Sequence, residues 1–367
     1  MVIKLEFDLS KCDFSKCKGE CLTNCPFVSQ PYTEESAKEE IAKLIRGEEA
    51  RILQECIGCY ACNQFCPTGA NPWELINLRQ EEMGASKYLE RSKEMEGVKV
   101  WGTKPYLYVS GEYGKPLVSL CGLYEVLPWE LLFKGSKMFE GLNFVGGGDV
   151  CCKLAITHIG HYSPPRDFLP KLVENLAKAA EKAGTKEVIL YHDGCYGLLT
   201  TWAWQYRIKV PFKPIPLVVY LRDWLREHRD EIKPLNMKAA YQWGCTTRYN
   251  PRAPGYEPAD KVVREIFDLI GVEWVERTYE AEKGLCCGCG IWFSQKERRK
   301  KIQEKNIMDA KEHGAEIFVF ICPVCTTSMR AAVRQAGMEP YHIINLCRLA
   351  LGEELPAGGA AFGYPVK

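Results

Sequence analysis

Five cysteines in the last third of the chain set the tightest limit on how it can fold. Cys245 is followed after forty residues by Cys286-Cys287, and after thirty-four more by Cys322-Pro-Val-Cys325. A structural zinc or a cubane [4Fe–4S] centre is complete with four ligands. A fifth thiolate calls for a spare sulfur beside a metal, or for a larger, irregular cluster with an iron open to substrate. Three distant segments must then meet at one point, as loop tips beyond the ends of parallel strands do. Adjacent cysteines followed by a distant Cys-x-x-Cys point to redox chemistry on sulfur.

Nineteen cysteines in 367 residues are an odd count gathered into short motifs, which argues against a secreted disulfide scaffold. A chain of this length makes two or three domains, each large enough to bury a core. A net charge of +1 gives no reason to expect nucleic acid or an anionic membrane as partner. The opening Met-Val-Ile-Lys-Leu-Glu-Phe-Asp lacks the basic-then-apolar pattern of a secretory signal. No run approaches the roughly eighteen apolar residues of a membrane span. The expected setting is a reducing cytoplasm, with thiolates holding metal.

Near the N-terminus, Cys56-Ile-Gly-Cys59-Tyr-Ala-Cys62-Asn-Gln-Phe-Cys66-Pro67 matches the bacterial ferredoxin run, whose fourth cysteine ligates the other cluster of a pair. A wider run, Cys12, Cys17, Cys21 and Cys25-Pro26, lies upstream. Cross-ligation predicts one cubane [4Fe–4S] cluster on Cys12, Cys17, Cys21 and Cys66, and a second on Cys56, Cys59, Cys62 and Cys25. Paired zinc knuckles are the alternative. Between the runs, Thr33 or Ser36 caps a helix carrying Ile41, Leu44 and Ile45, with Gly47 as its stop. Another helix begins near Pro72. Helices around two clusters look like the alpha-helical ferredoxin domain of respiratory iron–sulfur subunits. Residues 80 to 112 read as a charged connector.

The remaining cysteines reveal an internal repeat. Cys121, Cys151-Cys152 and His192-Asp-Gly-Cys195 are followed 124 to 135 residues later by Cys245, Cys286-Cys287 and Cys322-Pro-Val-Cys325. In each half an apolar run, Val188–Tyr191 or Ile317–Ile321, precedes the final motif and reads as a buried parallel strand. Helical patterns at Phe168–Ala183 and Ala259–Ile270 alternate with them, giving two α/β lobes. The expected fold class is α+β or α/β multidomain: residues 1–95 a helical ferredoxin-like domain, 96–230 a first lobe, and 231–367 a second lobe with a mobile Gly/Ala-rich tail.

On these motifs the chain resembles the cysteine-rich CCG-domain family, which includes heterodisulfide reductase catalytic subunits and related iron–sulfur subunits. In domain order it looks most like the fused, D-type heterodisulfide reductase subunit. The resemblance implies that Cys245, Cys286, Cys287, Cys322 and Cys325 hold a noncubane [4Fe–4S] cluster where disulfide sulfur is bound and cleaved. The first lobe departs from the pattern: Lys153 follows Cys151-Cys152 where glycine is expected, and His192 replaces a cysteine. Cys121, Cys151, Cys152, His192 and Cys195 then suit zinc, a cubane, an altered noncubane cluster, or an empty thiol site.

Other residues carry a plain reading beside a functional one. Cys289 is a buried small residue or an exchangeable thiol; Cys347 is core. His158 and His161 are satisfied histidines or proton donors, and Asp193 and His192 are weak acid candidates. The aromatic stretch Trp202–Phe212, like Trp129–Phe133, packs inward or docks a partner. No Gly-rich nucleotide fingerprint is present, so a redox partner is required: a flavoprotein, a hydrogenase, or a membrane quinone or cytochrome subunit that would hold the chain at the membrane periphery. Two functions follow. One is a thiol–disulfide oxidoreductase acting on a small or protein disulfide. The other is a non-catalytic electron relay.

Overall fold

The computed structural model describes residues 7–84, 103–122, 124, 127–252 and 255–355. Most of the expected connector, Glu90–Glu96 included, and the Gly/Ala-rich tail lie outside the described residues. The architecture is mixed α/β, with two largely parallel sheets. The first takes β1 (Leu107–Val109), β2 (Leu117–Cys121), β3 (Asn143–Gly146), β4 (Glu187–Leu190) and β5 (Lys213–Pro216) in the order β1-β3-β2-β4-β5. Only β1 is antiparallel. The second takes β6 (Met237–Tyr241), β7 (Val272–Trp274), β8 (Ile317–Phe320) and β9 (Glu339–His342) in the order β7-β6-β8-β9, all parallel. With β1 set aside, the two sheets share one strand order.

The apolar runs of β4 and β8 exist because both faces of each strand are covered. Val188 and Leu190 face a core that contains the cysteine sets, while Ile189 and Tyr191 face a second core. Phe318 and Phe320 divide from Ile317 and Val319 in the same way, as the two-residue period of a strand requires. That second core also runs between the sheets. Helix Leu217–Glu227 packs on helix Ala259–Leu269, with Arg226 Nη2 donating to Glu265 Oε2 at 2.8 Å.

In the N-terminal part, helix Glu34–Arg46 starts at a capping box between Thr33 and Ser36 and stops at Gly47 in the left-handed region, an effective helix terminator. Helix Pro72–Glu82 follows the second cysteine run. Leu22, Ile41, Leu44, Leu53 and Ile76 close a small core between them. Helix Ser163–Lys182 begins five residues ahead of the expected Phe168, because Pro164 and Pro165 sit in its first turn, where no amide donor is needed.

Candidate metal centres at the strand ends

The cysteines of both lobes sit beyond the carboxyl ends of central strands. Cys121 ends β2, His192 and Cys195 follow β4, Cys245 follows β6, and Cys322 and Cys325 follow β8. Ligands in open α/β sheets gather there because strand C-termini and the helix N-termini that follow leave crevices. Helix Pro323–Gln335 starts directly after Cys322, so Cys325 lies in its first turn.

In the first lobe the sulfurs of Cys121, Cys152 and Cys195 all lie within 4.8 Å of one another. Among the described residues this is the one trio of potential ligand atoms so close. Tetrahedral zinc with Zn–S bonds of about 2.3 Å would space its sulfurs about 3.8 Å apart, so this trio is sized for a single ion. Cys151 adjoins this trio, and its thiol is pushed up mainly by Cys121. Lys153 adopts φ 55°, a conformation that favours glycine, and lays its ammonium 3.5 Å from the Phe168 ring centroid. The glycine missing from the motif is thus replaced by a residue that keeps a left-handed backbone.

In the second lobe a continuous chain of thiol contacts links six of the seven cysteines, Cys347 standing apart in the core. Cys286 meets Cys245, Cys287 and Cys289; Cys287 meets Cys325; and Cys325 meets Cys322. Thiol hydrogen bonds from Cys245, Cys287 and Cys289 hold Cys286 well below the ordinary thiol range. Cys245 is driven well above it by Cys286 and by burial. Such mutual opposition marks a set that cannot be all thiolate without a cation, the condition a metal relieves. Gly288 at φ 75° turns its amide onto Cys286 Sγ at 3.4 Å, as Gly58 at φ 69° does for Cys56 Sγ at 3.4 Å.

The two lobes face each other. Cys121, Cys151 and Cys152 line one cavity together with Cys245, Cys287, Cys289, Cys322 and Cys325. His158 and His192 stand in its wall. His192, expected among the first-lobe ligands, is not part of the close trio: its Nε2 lies 3.4 Å from Cys322 Sγ, and its Nδ1 accepts the Gly194 amide. Burial lowers its pKa, yet Cys322 and Cys152 outweigh that and raise it well above the usual imidazole range. Cys322 is lowered by the Cys325 thiol against burial, with His192 adding to the fall. His158 is buried, with Nε2 3.6 Å from Cys245 Sγ. Asp193 accepts from Thr247 Oγ1 at 2.5 Å, and burial raises its carboxyl pKa.

The N-terminal cysteines fall into two groups. Cys12, Cys17, Cys21 and Cys66 line one cavity with Phe14, Ile41 and Pro67. Cys12 is pushed up to about 11, by burial first and then by Cys66 and Cys17. Cys25, Cys56, Cys59 and Cys62 affect one another's charge, and burial dominates in each resolved case, taking Cys25 to about 12. This second group abuts the lobes. After burial, Cys286 is the largest influence on Cys59. Arg298 of helix Lys296–Glu312 donates to the Glu55 carbonyl at 2.8 Å and to that of Phe27. Asn77 Nδ2 donates to the Thr157 carbonyl at 2.6 Å.

Two functional neighbours carried little sequence signal. His158 belongs to a 3-10 turn over Leu154–Ile159, and only its packing brings it to Cys245. Arg248, three residues past Cys245, sits in a stretch without a recognisable motif. Cys289 is half-buried and lines the cavity, and Cys347 is fully buried core. Trp202 packs inward on Tyr162, with ring centroids 5.4 Å apart, while Trp204 is 39% exposed.

Residues 239–330 match the CCG family, described as a cysteine-rich domain. No curated protein matches the chain at a significant level. Among solved structures, a hypothetical protein from Helicobacter pylori is similar at 12% identity with a TM-score of 0.50. The similarity covers 80% of this chain and 60% of that one, so this chain spans less than two thirds of its structural neighbour. At that identity the likeness concerns fold alone. Among the described residues no helix is long and apolar enough to cross a membrane.

Proposed function

We propose that the chain is a heterodisulfide reductase-like iron–sulfur subunit that reduces or forms a disulfide at the second-lobe cysteines. The observation that carries this reading is the single cavity lined by thiols of both lobes, with Cys59 of the N-terminal sets beside Cys286. Domains at 1–95, 96–230 and 231–367, the latter two related by the internal repeat, fit the shared strand order of the sheets. Cys12, Cys17, Cys21 and Cys66, and Cys25, Cys56, Cys59 and Cys62, would hold two cubane clusters. Cys245, Cys286, Cys287, Cys322 and Cys325 would hold a noncubane one. The close trio Cys121, Cys152 and Cys195 suits zinc, with the adjoining Cys151 as a candidate fourth sulfur. When bound, such clusters supply electrons singly and an iron open to sulfur.

The chain's own residues then bind and orient. A disulfide entering the cavity needs two electrons and two protons to leave as two thiols. His192 beside Cys322 and His158 beside Cys245 are placed to hold those protons. Electrons come from a redox partner: a flavoprotein, a hydrogenase, or a membrane quinone or cytochrome subunit. The reducing cytoplasm is the setting in which so many thiolates stay metal-bound.

The test is Cys287→Ser in anaerobically purified protein, with iron, zinc and sulfide analysis of both forms. Disulfide turnover should vanish while both N-terminal clusters remain reducible by dithionite. Full turnover would assign the chain to the relay function, which the proximity of Cys59 to Cys286 also supports.

A further inference from the structure

Three arginines are buried among the described residues: Arg222, Arg248 and Arg348. Two have carboxylates. Arg222 pairs with Asp223 at 2.8 Å and with Glu257, and Arg348 with Glu353 at 2.9 Å. Arg248, 4% exposed, has only neutral acceptors among the described residues. Its Nε donates to Gln64 Oε1 at 2.6 Å, Nη1 to the Cys59 carbonyl at 3.3 Å, and Nη2 to the Gly284 carbonyl at 2.7 Å. A buried guanidinium without a counter-charge is strongly unfavourable, so an anion must face it.

The contacts say which anion. Cys59 belongs to the second N-terminal set, Gly284 lies two residues before Cys286, and Arg248 itself lies three residues after Cys245. The guanidinium therefore ties together the backbones of two cysteine-bearing segments. Resting on the cluster assignment above, we propose that Arg248 is the shared counter-charge of the Cys25/Cys56/Cys59/Cys62 centre and the second-lobe centre, and that it raises the reduction potential of both. A thiolate-held iron–sulfur centre gains negative charge on reduction, so a nearby fixed cation favours the reduced form. Because one cation serves both centres, it moves their potentials up together, so the step between them across the Cys59–Gly284 bridge is not made steeper by the charge.

The experiment is an anaerobic redox titration of the full chain, followed by EPR, on the unaltered protein and three variants. Arg248→Gln removes the charge, and Arg248→Lys keeps it. Gln64→Glu preserves the hydrogen bond while placing a carboxylate on the guanidinium, and it leaves the buried packing of Arg248 in place. Arg248→Gln and Gln64→Glu should each shift both centres at least tenfold toward the oxidised form, 59 mV per tenfold for one electron. Arg248→Lys should stay within threefold of the unaltered protein. The Cys12/Cys17/Cys21/Cys66 centre should not move in any variant. Unchanged potentials in Gln64→Glu, with full iron and sulfide content, overturn the inference, even where Arg248→Gln fails to fold. Unaltered protein without iron–sulfur signals overturns the cluster assignment itself, and the inference with it.

Discussion

Replacing Gly290 by alanine probes the meeting point of three segments that hold the centres in register. A Cβ built at Gly290 lies 2.5 Å from the His158 carbonyl oxygen and 2.9 Å from that of Ile57. Both are backbone atoms, so neither can swing aside as a flexible side chain would. The His158 carbonyl would have to retreat about 0.9 Å to reach the 3.4 Å at which ordinary contact begins. Overpacking of this kind costs about 1–3 kcal/mol, and two carbonyls opposed at once put this site near 3. At about 2–4 °C per kcal/mol in larger domains, the apparent unfolding midpoint should fall by roughly 6–12 °C. The strain would act on His158, which faces Cys245, and on Ile57, next to Cys56, so the visible spectrum of the second-lobe centre should change as well. Differential scanning calorimetry with absorbance on anaerobic protein reads both effects. A midpoint within 2 °C of the unaltered protein, with an identical spectrum, would refute the three-way contact.

Two further expectations follow from other parts of the structure. Cys66→Ser should disturb the centre in the cavity of Cys12, Cys17 and Cys21, read by EPR; loss confined to the Cys56/Cys59/Cys62 centre would contradict the cross-ligation. His342, whose Nε2–H donates to the Ile321 carbonyl at 2.7 Å, is held by burial at a pKa of about 3. The unfolded chain binds its proton first, so this contribution is whole above pH 6.5 and is lost as pH falls toward 3, by about 1.4 kcal/mol per unit. Unfolding midpoints measured from pH 7 to 4 should fall less steeply in His342→Gln.

The arrangement separates roles along the chain. The Cys12/Cys17/Cys21/Cys66 set lies farthest from the lobes in sequence and contact. The Cys25/Cys56/Cys59/Cys62 set touches the second lobe through Cys59, Arg248 and Arg298. The first-lobe trio faces the second-lobe sulfurs across the cavity, and His192 contacts both sides. The proposed function reads this arrangement as electron entry at the N-terminal sets and sulfur chemistry in the cavity.

What the sequence determined by itself was local and periodic. The Thr33–Gly47 helix was legible because a cap, an apolar stripe and a terminating glycine are each written within a few residues. The strands at Val188–Tyr191 and Ile317–Ile321 were legible because burial on both faces demands an unbroken apolar run. The cysteine motifs were legible because their spacing is written within a few residues. Tertiary structure decided the rest. His192 looked like a first-lobe ligand by its place in the repeat, yet its Nε2 meets Cys322, 130 residues away. His158 looked ordinary until packing brought it to Cys245. Arg248 carried no local signal at all, because what marks it is a buried site with no carboxylate partner among the described residues. Such contacts depend on which strand ends converge, and convergence arises from the summed packing of two sheets and the N-terminal helices, which no short stretch of sequence encodes.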